Sequence, residues 1–231
     1  MPTVLITGGR GVIGSVLASR LAGRELRLAD LPETDLRDPA LAREAVAGCE
    51  KVVHLAWNIR AEEFRSGGYS SENALMVFNM LSAAVDGGVR RFVFASSVHA
   101  HAFAPAPAPL AELPHTILGA EAERAPVPDS PYGASKLFGE AMCRWAAISG
   151  LETVAIRFGG VNAHDTPPAK DPDERKVWLS HRDCAAAVEA ALDRKLEHGS
   201  TAFVAVSDNA GRVHSFENAF GWVPRDGAPP E

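Results

Sequence analysis

Short runs of β-branched and other apolar residues alternate along the chain with longer segments rich in alanine and leucine. The apolar runs predict strands, at residues 3–7, 25–29, 51–55, 91–95, 153–158 and 201–206. The segments between them predict helices, at 12–22, 39–47, 71–86, 131–149 and 181–195. Because the strand runs are almost uninterrupted, both faces of the sheet should be covered by helices. The pattern therefore predicts an α/β fold with a doubly wound parallel sheet.

Two stretches interrupt this alternation. Residues 100–114 are rich in alanine and proline and predict a stiff surface loop. Residues 159–179 form a polar, proline-containing connection whose length is typical of a lid or binding loop. No linker divides the chain, so we expect a single domain over 1–231. A small lobe from 159–180 and 207–231 should cap the substrate.

Composition narrows the class of protein further. The 231 residues are 46% hydrophobic and 23% charged, with a net charge of −6, which is typical of one soluble globular domain. No basic face is evident, so we expect no nucleic-acid partner. The three cysteines (Cys49, Cys143 and Cys184) lack paired spacings and should be reduced. We find neither a leader nor an apolar run of about 20 residues, and we expect a cytoplasmic protein without a membrane contact.

A glycine-rich turn follows the first predicted strand. Its sequence, from residue 7 to 14, is Thr-Gly-Gly-Arg-Gly-Val-Ile-Gly, and a predicted helix begins there. A strand, a glycine turn and a helix start together place backbone N–H groups and the positive helix end against a diphosphate. The segment predicts dinucleotide binding in a Rossmann-like domain; the alternative is a glycine turn used only for packing.

The second predicted strand ends in Asp30, 16 positions after Gly14. A carboxylate at this point accepts hydrogen bonds from the adenosine ribose hydroxyls and repels a 2′-phosphate, which favours NAD. Arg10 supports the opposite choice, because a guanidinium in the turn could hold that phosphate. We expect NAD as the cofactor and keep NADP as the alternative because of Arg10.

A serine, a tyrosine and a lysine have the spacing of an acid–base site. Ser130 and Pro131 predict the start of a helix, and the i, i+4 spacing puts Tyr132 and Lys136 on one face. An ammonium near a phenol stabilises the phenolate, so Tyr132 could act as a general base. Ser97 ends an apolar strand at the edge where open α/β sheets bind ligands, and it could bind the reacting oxygen.

These motifs resemble the extended short-chain dehydrogenase/reductase family, in its NAD-dependent epimerase/dehydratase branch. The resemblance covers nearly the whole chain, and within the family it is greatest to small single-lobe members such as the uronate dehydrogenases. Its marks are Gly8-x-x-Gly11-x-x-Gly14, Asp30, Asp35-Leu36, His54-Leu55-Ala56-Trp57, Asn73, Ser96-Ser97, Tyr132-x-x-x-Lys136, Arg157-x-x-x-x-Asn162, His181-x-Asp183 and Gly221-Trp222-x-Pro224.

The resemblance implies a role for each matching residue. Ser97, Tyr132 and Lys136 would be catalytic, and the last two would also touch the nicotinamide ribose. The implied cofactor-binding residues are Gly8, Arg10, Gly11, Val12, Ile13, Gly14, Asp30, Asp35, Leu36, Leu55, Ala56, Trp57, Asn73, Ser96, Phe158 and Gly160. Only four residues stand between Asp30 and Asp35, where the family has a third strand, so we expect that strand to be short or missing.

Two residues are candidates for substrate contact. His99 follows Ser97 closely, and Arg175 lies in the polar connection, where it could bind an anionic group. His99 and His101 lack a third ligand, so we expect no metal site. Val98, Ile59 and Gly160 stand at or near places where uronate dehydrogenases have Asn, Ser and Ser. These departures leave the substrate open within the sugar and sugar-acid class.

The apolar segment from Asn73 to Leu81 is either core or an interface. Because relatives pair this helix and the Tyr132 helix across a two-fold axis, the resemblance implies a homodimer. The expected activity is oxidation of a hydroxyl of a sugar or sugar acid. An epimerase with tightly bound NAD and a non-catalytic dinucleotide sensor are the alternatives.

Overall fold

Six parallel strands form one sheet in the computed structural model, which describes residues 3–59, 70–101 and 126–230. The strand order is β2-β1-β3-β4-β5-β6. The strands are β1 Val4–Thr7, β2 Leu26–Ala29, β3 Lys51–His54, β4 Arg91–Ser97, β5 Glu152–Phe158 and β6 Ser200–Ala205. All five pairings are parallel, so the carboxyl ends of the strands meet along one edge.

Helices connect these strands and cover both faces of the sheet. Their bounds are α1 Val12–Arg20, α2 Pro39–Val46, α3 Glu72–Asp86, α4 Pro131–Ala147, α5 Pro172–Lys176 and α6 His181–Asp193, with a 3₁₀ turn at Val98–His101. Alternate strand residues serve opposite faces. Val4 and Ile6 pack into the cluster that contains α1 and α6, whereas Leu5 packs into the cluster beneath α2, α3 and α4. The predicted doubly wound α/β fold is confirmed.

The expected loss of the family's third strand is also seen. Residues 30–38 contain no strand, and β2 pairs with β1 alone, which leaves β2 at the edge of the sheet. Since so few residues separate Asp30 from Asp35, the chain turns directly from β2 towards α2. The adenosine end of the predicted cofactor site therefore lies beside a sheet edge.

The two segments expected to form a small lobe pack against each other. The Ser207 amide donates to the Trp178 carbonyl at 2.9 Å, and the Asn209 side-chain amide donates to the carbonyls of Lys176 and Trp178 at 3.1 and 2.7 Å. Within the connection, residues 159–179 include α5 and a bridge between Gly160 and Trp178. The polar pattern predicts a loop over all of residues 159–179, so the helix α5 is a difference from the prediction. That this lobe caps a substrate stays a prediction.

The predicted alanine- and proline-rich loop, 100–114, lies outside the described residues from position 102 onward. No helix in the described ranges combines the length and the apolar character that a membrane crossing requires. All three cysteines are free and buried.

Candidate active site

The glycine turn brings the start of α1 close to β1. A side chain at Gly14 would place its Cβ 2.4 Å from the carbonyl oxygen of Gly8, so only glycine lets the helix approach the strand end this closely. Gly11 caps α1 without a side-chain hydrogen bond to the first turn. The first-turn amides are therefore available to an anion, which is the arrangement that holds a diphosphate.

Asp30 lies directly beside this turn at the end of β2. Its carboxylate accepts hydrogen bonds from the backbone amides of Arg10 and Leu31, both at 2.8 Å. The Arg10 guanidinium donates to Glu33 at 2.8 Å and to the carbonyl of Leu31. Two carboxylates thus surround the position where sequence reasoning had placed a cation for a 2′-phosphate.

A groove of about 480 Å³ runs from the turn along the end of β3. Among its lining residues are eight of the predicted cofactor ligands, namely Gly8, Gly11, Asp30, Asp35, Leu36, Leu55, Ala56 and Trp57. Val12 faces a neighbouring pocket, and Ile13 packs against the core. Asn73 is buried and binds the backbone of Asn58, its side chain accepting from the amide at 2.6 Å and donating to the carbonyl at 3.0 Å. It supports the groove's wall.

The catalytic candidates meet where α4 begins beside the end of β4. Ser130 caps α4 by accepting from the Gly133 amide at 3.1 Å, and Pro131 occupies the first turn, as predicted. A Cβ at Gly133 would lie 2.0 Å from the His99 carbonyl oxygen, so this glycine permits close contact between α4 and the 3₁₀ turn. The contact places Tyr132 beside Ser97.

Tyr132 and Ser97 are joined by a side-chain hydrogen bond, which favours the phenolate. Burial acts more strongly in the opposite direction and raises the pKa of Tyr132 to about 12. One turn along α4, Lys136 is buried and its Nζ donates to the Ala95 carbonyl at 2.7 Å. Burial lowers the pKa of Lys136 well below its usual range. The three predicted catalytic residues are therefore brought together in one partly enclosed site.

A buried ion pair, which sequence reasoning missed, holds together the elements that carry this site. Glu140 accepts from Arg157 at 2.9 Å through both carboxylate oxygens, and from the Ser96 hydroxyl at 2.6 Å. These contacts join α4, β5 and β4. The signal was present, because Glu140 lies four residues after Lys136 on the same helical face. Ser96, predicted as a cofactor ligand, uses its hydroxyl here.

His99 lies at the mouth of the same site. Its amide donates to Ser97 Oγ at 3.2 Å, and its ring packs edge-on against the Tyr132 ring with centroids 5.8 Å apart. Nδ1 lies 3.0 Å from a carboxylate oxygen of Asp129, whose side chain is 4% exposed. Sequence reasoning missed Asp129, although its place just before the helix cap could have indicated it.

The remaining predicted ligands lie on the far side of β4. Phe158 is buried in the core, and the Gly160 amide donates to the Val177 carbonyl at 2.9 Å. Arg175 donates to the carbonyls of Pro168 and Pro229, at 3.3 and 2.9 Å, and so ties the two lobe segments together. Substrate contact by Arg175 stays a prediction.

The residues present fit a nicotinamide dinucleotide. Uncapped amides at the start of α1 match a diphosphate, the Asp30 carboxylate matches ribose hydroxyls, and the groove beside β3 gives room for the adenosine. The tyrosine and lysine lie farther along the same edge. The donor and acceptor set therefore suits the cofactor that the glycine turn predicts.

Comparison with known proteins agrees with this geometry. A model of the NAD dependent epimerase/dehydratase family matches residues 4–178. L-Arabinose 1-dehydrogenase (NAD(P)(+)) from Haloferax volcanii is 32% identical over 98% of this chain and 97% of its own. UDP-glucose 4-epimerase from Azospirillum brasilense is 29% identical over 84% of this chain and 58% of its own.

A solved structure is similar over nearly the whole chain. Uronate dehydrogenase from Agrobacterium tumefaciens has a TM-score of 0.73 and 29% identity, and the match covers 99% of this chain and 86% of that one. A mutant of that enzyme has been solved in complex with NAD. Such relatives are NAD(P)-dependent dehydrogenases and epimerases, so the expected class of enzyme is confirmed. This chain belongs to the NAD dependent epimerase/dehydratase family.

Proposed function

We propose that this protein is an NAD-dependent oxidoreductase that oxidises a hydroxyl group of a sugar or sugar acid. The observation that carries the proposal is the assembly of Ser97, Tyr132 and Lys136 at the edge of the sheet that also holds the glycine turn. A protein that only binds a dinucleotide needs the turn but not this triad. Similarity to L-arabinose and uronate dehydrogenases supports the same reaction class.

Each of the three side chains has a distinct task. Tyr132 takes the proton of the substrate hydroxyl, and Ser97, hydrogen-bonded to it, holds the substrate oxygen. Lys136, one helical turn away, supplies the positive charge that lowers the pKa of the phenol. NAD, when bound, accepts the hydride from the substrate carbon. Because burial raises the pKa of Tyr132, the ammonium of Lys136 and the positive charge that an oxidised nicotinamide would add are both needed for the base to work near neutral pH.

We infer that NAD rather than NADP is the cofactor used. Asp30 and Glu33 place two carboxylates beside the adenosine end of the groove, and Glu33 engages the guanidinium of Arg10. A 2′-phosphate would be repelled by this negative charge. The name of the H. volcanii relative includes both NAD and NADP. The preference proposed for this chain is therefore a difference between its affinities for the two cofactors.

The proposed substrate is a small polyhydroxylated molecule. His99, held by Asp129 beside the reacting pair, is placed to contact a substrate hydroxyl or carboxylate. By the resemblance, Val98, Ile59 and Gly160 stand at or near positions where uronate dehydrogenases have an Asn and two Ser. A free aldose is therefore as suitable as a sugar acid. The lobe from 159–180 and 207–230 would cap it.

We also propose a homodimer in the cytoplasm. Leu75 and Phe78 on α3, and Phe138 and Trp145 on α4, are each 44–46% exposed, and the rings of Phe78 and Trp145 stack with centroids 6.2 Å apart. Two packed helices thus share one apolar surface, here called the α3–α4 face. A second copy suits it because two such faces can bury each other around a two-fold axis.

The buried, free cysteines suit a reducing compartment.

The function is tested by following NADH formation with a panel of aldoses and sugar acids. Tyr132→Phe should lower turnover by about a thousandfold, because it removes the proton acceptor. The same variant should still bind NAD in calorimetric titration, since the diphosphate and the adenosine ribose are held by residues elsewhere in the groove. Unchanged turnover in this variant would reject the mechanism.

The panel also separates the alternatives. A redox-neutral epimerase would convert a sugar without accumulating NADH, and a sensor would bind NAD tightly without turning over any substrate. Ser15→Ala, on the outer surface of α1, serves as the matched control and should leave both readouts unchanged.

A further inference from the structure

The ammonium of Lys136 rests on the face of an aromatic ring. Nζ lies 3.9 Å from the ring centroid of Trp57, whereas the Phe94 and Tyr132 centroids are 5.3 and 5.7 Å away. A cation within about 6 Å of a ring centroid is attracted by the ring quadrupole, most strongly by tryptophan. Trp57 therefore makes the closest aromatic contact with the charged group of the triad.

The ammonium has little else to compensate for its burial. Lys136 is 3% exposed, and its hydrogen bond to the Ala95 carbonyl uses one of three N–H donors. No described carboxylate forms an ion pair with Lys136. A buried ammonium with one acceptor tends to lose its proton. The aromatic faces are thus the main further source of negative potential at Nζ.

The indole is held for its ring and not for its N–H group. Among the described residues, no group forms a hydrogen bond with the buried Nε1 of Trp57, which is a cost that phenylalanine or leucine would avoid. The ring packs against the edge of Phe94 with centroids 5.6 Å apart and an interplanar angle of 63°. What tryptophan adds over a smaller apolar residue is a larger and more negative π face.

Other charges around the helix of Lys136 are either compensated or held neutral. Glu140 on α4 is paired with Arg157 on β5, Arg91 on β4 with Glu152, and Glu72 on α3 with Arg37. Burial lowers the pKa of His54 on β3 to about 3 and that of His101 on the 3₁₀ turn to about 4. Asp86 is exposed at the opposite end of α3, and Tyr132 and His99 are the partners already described.

We propose that Trp57 is a positioning residue that holds Lys136 as an ammonium beside Tyr132 through the face of its indole ring. The proposal rests on the function proposed above, because it gives the origin of the charge that activates Tyr132. Loss of the π face would favour neutral lysine, and a neutral lysine no longer stabilises a phenolate. Trp57 would then set the pH at which the enzyme becomes active.

The decisive measurement is the pKa of Lys136 itself, in the protein without cofactor. The sequence contains five lysines, at 51, 136, 170, 176 and 195, so lysine labelled with ¹³C at Cε gives few NMR signals. Lys136→Arg identifies the signal of interest. Fluorinated tryptophans with one to four fluorines, placed at position 57 by suppression, weaken the π face while keeping the ring's shape. Trp57→Leu and Trp57→Phe extend the series.

The pKa of Lys136 should fall step by step as the number of fluorines increases, by about one pH unit in total. In Trp57→Leu the pKa of Lys136 should be lowered by at least the same amount. Trp57→Phe should lie between leucine and the natural residue. The same fluorinated series at Trp145, which is 46% exposed, should leave the pKa unchanged. A pKa that is constant across the series at 57, or one that rises in Trp57→Leu, would overturn the proposal.

Activity provides a second and separate readout. The acid limb of the kcat/KM profile should move to higher pH by a similar amount as fluorine number increases. Failure of the wider function would appear as normal turnover in Tyr132→Phe, whatever the lysine titration shows. A constant Lys136 pKa with an inactive Tyr132→Phe would reject the role of Trp57 alone.

Discussion

At the scale of single residues, the contact between the exposed side chains of Arg10 and Glu33 bears on the proposed preference for NAD. The guanidinium is bonded to Glu33 at 2.8 and 3.1 Å and to a backbone carbonyl. Glu33→Gln should release it and tighten NADP binding about threefold to tenfold, because a free guanidinium can then pair with a 2′-phosphate. Titration with both cofactors checks this.

The matched control for this change is Glu25→Gln, which removes one exposed negative charge at the start of β2 and should not alter the preference. An unaltered ratio of NADP to NAD affinity in Glu33→Gln would show that Glu33 does not restrain Arg10.

The contacts of some single residues could be predicted from the sequence, and those of others could not. Tyr132 and Lys136 were predictable because both lie on one helix, where a spacing of four fixes their relation. The contact of Lys136 with Trp57 was not, because it joins positions 79 residues apart through the packing of α4 on the sheet. The same holds for Arg10, whose partner Glu33 lies across the turn after β2.

At the scale of elements, one buried ion pair joins three of them. Arg157 on β5 and Glu140 on α4 are 2% and 1% exposed, and Ser96 on β4 completes the group. Glu140→Gln would remove the carboxylate that pairs with the buried guanidinium of Arg157, so it should lower the free energy of unfolding by about 3 kcal/mol. Chemical denaturation measures the loss.

Glu189→Gln, on the exposed side of α6, is the control and should change stability by less than about 0.5 kcal/mol. If Glu140→Gln were equally mild, α4 would be held to the sheet by apolar packing alone.

Elements were predictable where burial requires a regular pattern of apolar residues in the sequence. All six strands and the five long helices follow from apolar runs and amphipathic segments. The helix α5 was not, because four of its five residues are charged and none is buried. It forms through its cap: Asp171 accepts from the amides of Asp173 and Glu174, at 2.9 and 3.1 Å, and Pro172 begins the turn.

At the scale of the whole molecule, the α3–α4 face predicts the oligomeric state. Trp145→Glu should convert a dimer into a monomer in light scattering after size exclusion, because a charge would be buried at the contact. Val223→Glu, at a residue 64% exposed and outside this face, should leave the dimer intact. A wild-type monomer at micromolar concentration, or a dimer unaffected by Trp145→Glu, would reject this interface.

Three buried histidines make global stability depend on pH. Burial lowers the pKa of His54 to about 3, and of His101 and His214 to about 4, from 6.5. Between these values the unfolded chain binds more protons than the folded one, so stability is full above pH 6.5 and falls towards pH 4. We expect a loss of several kcal/mol over this range, measured by urea denaturation at successive pH values.

His214→Asn should reduce the slope of this loss, and His198→Asn, on the exposed surface, should not. A stability that stays level from pH 7 to 4.5 would show that these histidines gain protons without unfolding.

In the described ranges no strand lies beyond β2, and this has a consequence for the proposed catalytic cycle. With β2 as the margin of the sheet and Leu28 and Leu31 more than half exposed there, the adenosine half of a dinucleotide bound as proposed would meet bulk water instead of a closed slot. A nucleotide seated so shallowly can leave after every round and be replaced by a fresh, oxidised molecule. A dehydrogenase that exchanges its dinucleotide after each sugar suits this open edge better than an epimerase that must keep one dinucleotide bound.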